Sequence, residues 1–299
     1  MKDEIVIEHV DKFYGKKKAL SDVTMTIGTG MFGLLGRNGA GKTTLMRLLA
    51  TLHCRDAGKI TVCGEAIENR TKIRELIGFL PQDFNMYPNM SVYEAMDYLG
   101  MLSGMDKKVR KERISFLLDK VNLLEEQKKK VKNLSGGMKR RLGIAQALLH
   151  DPRVLIVDEP TAGLDPEERI RFRNLLCEVA EDRIVILSTH IVGDIEATCE
   201  NIAILNEGEI LWKGTLTEII DEADGKVYVA ETSDEELKRI KNEYIVTSVL
   251  KNAGKNLVRF ISMTPLVNDK AEKVRPNCED AYMYCLQKYG KKEGECIYA

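Results

Sequence analysis

The chain lacks an excess of either charge. Among its 299 residues, 45 Lys and Arg stand against 46 Asp and Glu, a formal net charge of −1. A dedicated nucleic-acid binder shows a clear basic excess, so only a local basic patch stays open. Long apolar runs are also missing. No stretch approaches the ~20 apolar residues that a helix needs to cross a bilayer. The apolar runs, such as Val154–Val157 and Ile184–Leu187, are strand-sized. The start, Met1-Lys2-Asp3-Glu4-Ile5, lacks the basic-then-apolar pattern of a secretion signal. The seven cysteines (54, 63, 177, 199, 278, 285 and 296) are odd in number and scattered, with no Cys-x-x-Cys pair for zinc or redox work. Reduced thiols in the cytosol are expected. Any contact with a membrane is then expected from the water side, through a partner.

What is present is an ordinary globular composition, 44% hydrophobic and 30% charged. The length allows one large domain, or a main domain and a smaller one. Ile5–Ile7 and Val23–Ile27 read as strands around a polar turn, Lys12–Lys18. Met31–Leu35 reads as a strand that enters a glycine-rich loop, and Lys42–Leu52 as the following helix. Residues 91–105 and 107–122 place apolar side chains at helical spacing. Short strands return at 154–157, 184–188 and 202–206, around a charged helical stretch at 166–181. This order implies a parallel sheet with crossover helices, interrupted by a helical insertion. Asp221–Gly225 reads as a linker. Beyond it, strand-like pieces (226–232, 244–250, 255–263) and a late helix at about 278–289 form a small α+β appendix.

Gly36-Arg37-Asn38-Gly39-Ala40-Gly41-Lys42-Thr43-Thr44 fits Gly-x4-Gly-Lys-Thr between a strand and a helix. Glycines let backbone N–H groups turn inward around a polyphosphate, and the helix start adds positive potential. Lys42 suits the β- and γ-phosphates, and the Thr43 hydroxyl suits Mg²⁺. Val154–Val157 then leads into Asp158-Glu159. Strand C-termini of a parallel sheet line the ligand crevice, so Asp158 is placed to hold Mg²⁺ and Glu159 to activate the attacking water.

Leu134-Ser135-Gly136-Gly137-Met138 precedes a helix at Lys139–Leu149 and reads as a second anion-binding helix start, or as a plain cap by Ser135. One γ-phosphate does not need two such sites in one chain, so two chains sharing each nucleotide is the sharper reading. His190 ends a strand, where it either meets the γ-phosphate and positions Glu159 or is structural. Gln82 follows an apolar strand and precedes the insertion, placed to sense Mg²⁺ or water.

Taken in order, Gly36–Thr44, Gln82, Leu134–Gly137, Asp158-Glu159, Gly163-Leu164-Asp165 and His190 resemble the ATP-binding subunit of ABC transporters, over roughly residues 3–220. The resemblance implies an α/β fold: a P-loop NTPase cassette with a parallel-sheet core, an N-terminal antiparallel β subdomain and a helical insertion (about 88–150). Residues 221–299 would form an accessory α+β domain. It implies ATP and Mg²⁺ as cofactors, held by Gly36, Asn38, Gly39, Ala40, Gly41, Lys42, Thr43, Thr44 and Gln82. Thr43, Gln82 and Asp158 would serve the metal. Glu159 is the implied catalytic carboxylate, His190 the switch histidine, and Tyr14 the aromatic that stacks on adenine. Ser135, Gly136 and Gly137 would meet the nucleotide of a second ATP-binding subunit standing head to tail, and Asp165 is the implied D-loop residue of the nucleotide-binding set. The family's usual Leu-Ser-Gly-Gly-Gln ends here in Met138, and Met138-Lys139-Arg140-Arg141 resembles the branch that serves ABC-2-type export permeases.

That branch implies export of a drug, peptide or polysaccharide by a separate membrane permease, with this chain on the cytoplasmic face of the membrane and no nucleic-acid partner. The alternative is a soluble ABC ATPase acting on ribosomes or nucleic acid. Such proteins usually carry two cassettes or a long coiled coil, and neither is visible here. Phe84–Pro88 carries apolar side chains in a loop, as a docking surface for the permease or an anchor for the insertion. Lys128–Lys132 reads as a solvated surface, and Trp212 as packing. Pro276–Tyr282 resembles the tail motif of ABC-2-type ATPase subunits and is expected to start a helix on the appendix sheet.

Overall fold

The computed structural model describes residues 3–252, 254–264, 266 and 271–290. Cys296 lies outside the described residues. Strands β1 (Glu4–Tyr14) and β2 (Lys17–Gly28) pair antiparallel from Glu4 opposite Gly28 to Tyr14 opposite Lys17. The expected polar turn is thus reduced to Gly15 and Lys16. Register shifts after Ile7 and Val10 take up residues outside that turn, while Ile5, Ile7 and Val10 stay fully buried. Strand β3 (Gly30–Leu35) enters the glycine-rich loop, and helix α1 spans Lys42–Leu49. It stops short of Leu52. Thr51 takes a positive φ of 58°, and Leu52 turns out to solvent.

The chain continues through β4 (Ala57–Val62), β5 (Glu65–Ala66), α2 (Arg70–Leu76) and β6 (Ile77–Leu80). The insertion supplies α3 (Val92–Leu102), α4 (Lys107–Lys120) and α5 (Gly136–Ala147). Then come β7 (Val154–Asp158), α6 (Pro166–Val179), β8 (Ile184–Thr189), α7 (Val192–Thr198), β9 (Asn201–Asn206), β10 (Glu209–Thr215) and α8 (Leu216–Glu222). Strands β2-β1-β4-β5 form an antiparallel sheet, and β10-β9-β3-β8-β7-β6 form the central one. Within the latter β9, β3, β8, β7 and β6 run parallel, with β10 as the antiparallel edge.

Alternation along the central strands divides the core in two. Val154, Ile156, Ile184, Ile186 and Leu205 pack with β1, β2 and α1, whereas Leu155, Val157, Val185, Leu187 and Ile204 pack with the helices of the insertion and with α6 and α7. The strand ends therefore carry polar residues out of a sheet buried on both faces.

A third sheet has the order β12-β13-β11-β14, from β11 (Val227–Thr232), β12 (Ile245–Asn252), β13 (Lys255–Ile261) and β14 (Ala271–Lys273). Helix α9 (Asp234–Glu243) packs its Leu237 and Ile240 on Tyr228 and Phe260. Helix α10 (Cys278–Tyr289) meets β12 and β13, but it also packs on α7, α8 and β10. Its Ala281, Cys285 and Leu286 share one apolar cluster with Ile195, Cys199 and Ile204. The helix expected to rest on the appendix sheet thus lies between that sheet and α7, α8 and β10. Asp221–Gly225 is correspondingly no extended linker: α8 runs to Glu222 and Ala223 is fully buried. Among the described residues, no helix is long and apolar enough to cross a membrane.

Asp280 fixes the start of α10. Its fully buried carboxylate accepts from Thr247 Oγ1 (2.8 Å), from Arg259 Nε (2.9 Å) and Nη2 (2.6 Å), and from the Asn277 N–H (2.9 Å). Trp212 packs as expected and donates to Glu222 (2.8 Å).

Candidate active site

A cavity of about 520 Å³ opens at the C-terminal ends of the parallel strands, within the ~300–1,000 Å³ usual for small-molecule sites. Tyr14, Asn38, Gly39, Gly41, Lys42, Thr43, Thr44, Gln82 and Glu159 line it. Residues from four separate stretches of sequence thus meet in one place. Gly41 is the N-cap of α1 with φ 110°, a conformation that an L side chain would strain, and no side chain caps the helix start. A Cβ there would also stand 2.7 Å from the Ala19 carbonyl. Ala40 is buried below the loop, and its carbonyl accepts the Gly208 N–H at 2.9 Å. Gly36 contributes its carbonyl to Lys42 rather than a cavity wall.

The Lys42 ammonium is only 5% exposed. It donates to the carbonyls of Gly36 (2.7 Å) and Arg37 (3.2 Å) and lies 3.1 Å from Glu159 Oε1. Glu159 Oε2 is 2.7 Å from His190 Nδ1. The loop lysine, the strand-end carboxylate and the histidine therefore form one chain of contacts. Glu159 has φ 48°, unusual for a residue with a side chain, and its N–H is tied to the Ser188 carbonyl at 2.9 Å. Such strain persists where the surroundings over-determine it, most often at functional sites.

Asp158 ends β7 at 1% exposure, and both carboxylate oxygens are buried without a hydrogen bond of full geometry. Burial pushes its pKa up, while the hydroxyls of Ser188 and Thr43 pull it down. A buried carboxylate with free lone pairs beside a hydroxyl is a seat for a hard cation. Among the described residues, no group of three or more His, Cys, Asp or Glu could hold a metal alone. The donor set suits Mg²⁺, which usually takes one or two carboxylates and completes its shell with phosphate oxygens and water.

Tyr14 stands 44% exposed at the cavity edge, its ring edge-on to His53 at 5.9 Å with Lys12 Nζ 5.6 Å from its centre. Gln82 is exposed just beyond β6, and the preceding Pro81 carbonyl accepts from Arg140 of α5 at 3.3 Å. The insertion is thereby tied directly to the Gln82 segment.

Ser135, Gly136, Gly137 and Asp165 do not line this cavity. Ser135 Oγ caps α5 by accepting the Met138 N–H (3.2 Å), and Asp165 caps α6 by accepting the Glu168 N–H (2.9 Å). The two helix starts touch. A Cβ on Gly137 would stand 2.6 Å from Glu168 Oε2, and Glu168 also pairs with Arg141 at 3.3 Å.

Sequence reasoning missed four lining residues: Lys17, Lys18, Ala19 and Glu207. The lysines stood in the expected polar turn. Glu207, in the β9–β10 turn with φ 47°, carries no local signal.

The profile of the family described as "ABC transporter" matches residues 20–162. The chain is 34% identical over 291 residues to an uncharacterized ABC transporter ATP-binding protein, YxlF, of Bacillus subtilis (strain 168), covering 93% of this chain and 97% of that one. This chain belongs to the ABC transporter ATP-binding proteins. It is 39% identical over 219 residues to the Nod factor export ATP-binding protein I of Rhizobium sp. (strain N33), covering 72% of each. The dimeric post-hydrolysis structure of the ATP-binding cassette MJ0796, bound to ADP and Pi, superimposes with a TM-score of 0.65 at 26% identity, over 71% of this chain and 98% of that one. The chain is accordingly an ATP-hydrolysing transporter subunit.

Proposed function

We propose that this ABC transporter ATP-binding subunit powers export through a separate membrane permease, from the cytoplasmic face of the membrane. The resemblance of Met138–Arg141 to the ABC-2 branch and the likeness to a Nod factor export protein support that direction. We assign the cassette to residues 1–220 and an accessory unit to 221–299. Two such subunits, identical or homologous, stand head to tail and share two ATP molecules. Ser135, Gly136, Gly137 and Asp165 of one chain complete the site of the other, in keeping with their absence from this chain's own cavity.

In this reading Tyr14 stacks on adenine and the loop from Gly36 to Thr44 cradles the phosphates. Thr43, Asp158 and Gln82 would hold Mg²⁺, which would supply neutralisation of charge on the β- and γ-phosphates. Glu159 accepts the proton of the attacking water, and His190 holds its carboxylate at 2.7 Å. Before ATP arrives, the Glu159–Lys42 contact at 3.1 Å keeps the ammonium beside the seat that the γ-phosphate takes. Phosphate then draws Lys42 away and leaves Glu159 to the water and His190.

Tyr87, 42% exposed and edge-on to Tyr98 at 5.2 Å, with the exposed Met101 and Leu102, offers an apolar surface to the permease. Phe84 and Met86 instead pack on the core.

The observation that carries the reading is the Lys42–Glu159–His190 chain beside the unpaired Asp158. Its test is Glu159→Gln, which keeps the shape and removes the base. ATP binding is expected to persist while hydrolysis falls by ~10²–10⁴-fold. Hydrolysis within about twofold of wild type contradicts the role.

A further inference from the structure

Asp194 lies in α7, four residues beyond His190, and its side chain is fully buried. A buried charge costs free energy unless paired, so its partners call for a reason. Thr161 Oγ1, 1% exposed, donates to Asp194 Oδ2 in a short hydrogen bond. Arg173 Nη1 and Arg169 Nε of α6 face Oδ1 from 3.8 and 3.9 Å, and Arg173 also donates to the Gly193 carbonyl at 3.2 Å. Thr161 follows Glu159 across Pro160, whose ring stiffens the link. Two side-chain contacts therefore tie the segment after β7 to the segment after β8. One rung is Glu159–His190, at the cavity; the other is Thr161–Asp194, behind it.

We propose that Thr161 and Asp194 are positioning residues for ATP hydrolysis: their buried bond, braced by Arg169 and Arg173, sets the separation at which His190 meets Glu159. Neither touches the cavity, so their effect passes through the first rung. A displacement of well under an ångström there is enough to slow a reaction that depends on an aligned base. This inference rests on the role given above to Glu159.

The test uses the full-length protein, with ATPase kcat measured beside the Kd of a fluorescent ATP analogue and the thermal midpoint. Thr161→Val keeps the shape and deletes the hydroxyl; Asp194→Asn keeps the shape and deletes the charge. Each is expected to lower kcat about tenfold with Kd within about twofold of wild type. Thr161→Ser, which restores a hydroxyl, rescues kcat. The double variant is no slower than the slower single one, because the pair acts as a unit. A Thr161→Val chain with wild-type kcat overturns the inference, as does a loss of kcat matched by a loss of binding, or a Thr161→Ser chain as slow as Thr161→Val. If Asp194→Asn does not fold, the Thr161 pair decides alone. Glu159→Gln, run alongside, separates the two readings. If it is slow while Thr161→Val is fast, only this inference fails; if it is fast, the role of Glu159 fails and this inference with it.

Discussion

Two glycine-rich helix starts sit in this cassette, and they are built differently. The start of α1 has Gly41 as its cap with no side chain on its N–H groups, and it opens into the cavity beside a buried lysine. The start of α5 is already capped by Ser135, leans on Glu168 of α6, and lines no part of that cavity. Costs are distributed in the same way. A backbone outlier, Glu159, lines the cavity, and just behind it lies the buried carboxylate of Asp158; at the start of α5 the Ser135 cap closes the hydrogen bonding locally. One helix start is thus prepared for a phosphate within its own chain. The other is settled in isolation, and in the proposed head-to-tail pair it meets the nucleotide held by a second chain.

This contrast has measurable consequences. The largest is in nucleotide affinity. Lys42→Ala removes the buried ammonium and is expected to weaken ATP binding ~10–100-fold, as measured by titration with a fluorescent analogue. Gly137→Ala, by contrast, is expected to leave that affinity unchanged while lowering steady-state hydrolysis about tenfold. Equal losses of affinity in both variants would erase the distinction.

The smallest effect concerns stability, where the two regions are expected to respond with opposite signs. Asp158→Asn removes a desolvated charge, so thermal unfolding of the nucleotide-free chain should shift up by ~1 kcal/mol, a few degrees, even as hydrolysis is lost. Ser135→Ala removes a helix cap and should shift it down by ~1 kcal/mol. Shifts of the same sign would show that the cavity stores no such cost.

Much of the site was legible because its chemistry is local in sequence. The loop at Gly36–Thr44 carries its glycines, lysine and hydroxyl within nine residues, and a strand-sized apolar run pointed directly to Asp158-Glu159. The crossover order read from 154–206 gave the parallel sheet. What stayed hidden was contact across distance. Thr161 and Asp194 are separated by 33 residues, and neither stands out until the strands are laid side by side. Pro276–Tyr282 is expected to start a helix, but only folding shows that Asp280 is bound by Thr247 and Arg259. The acidic run at 221–225 resembled a linker because its one apolar residue, Ala223, finds its burial against elements distant in sequence.

The central claim is that the site is completed by the signature residues of another chain, and the most direct measurement mixes two impaired variants. Lys42→Ala spoils the loop and spares Ser135–Gly137; a chain altered at Gly137 does the reverse. In a head-to-tail pair of one of each, one site combines the intact loop with the intact signature. The account predicts that mixing raises the ATPase activity well above the lowered level of either variant alone. A mixture no more active than its components, in which the two chains are shown to associate, would contradict it.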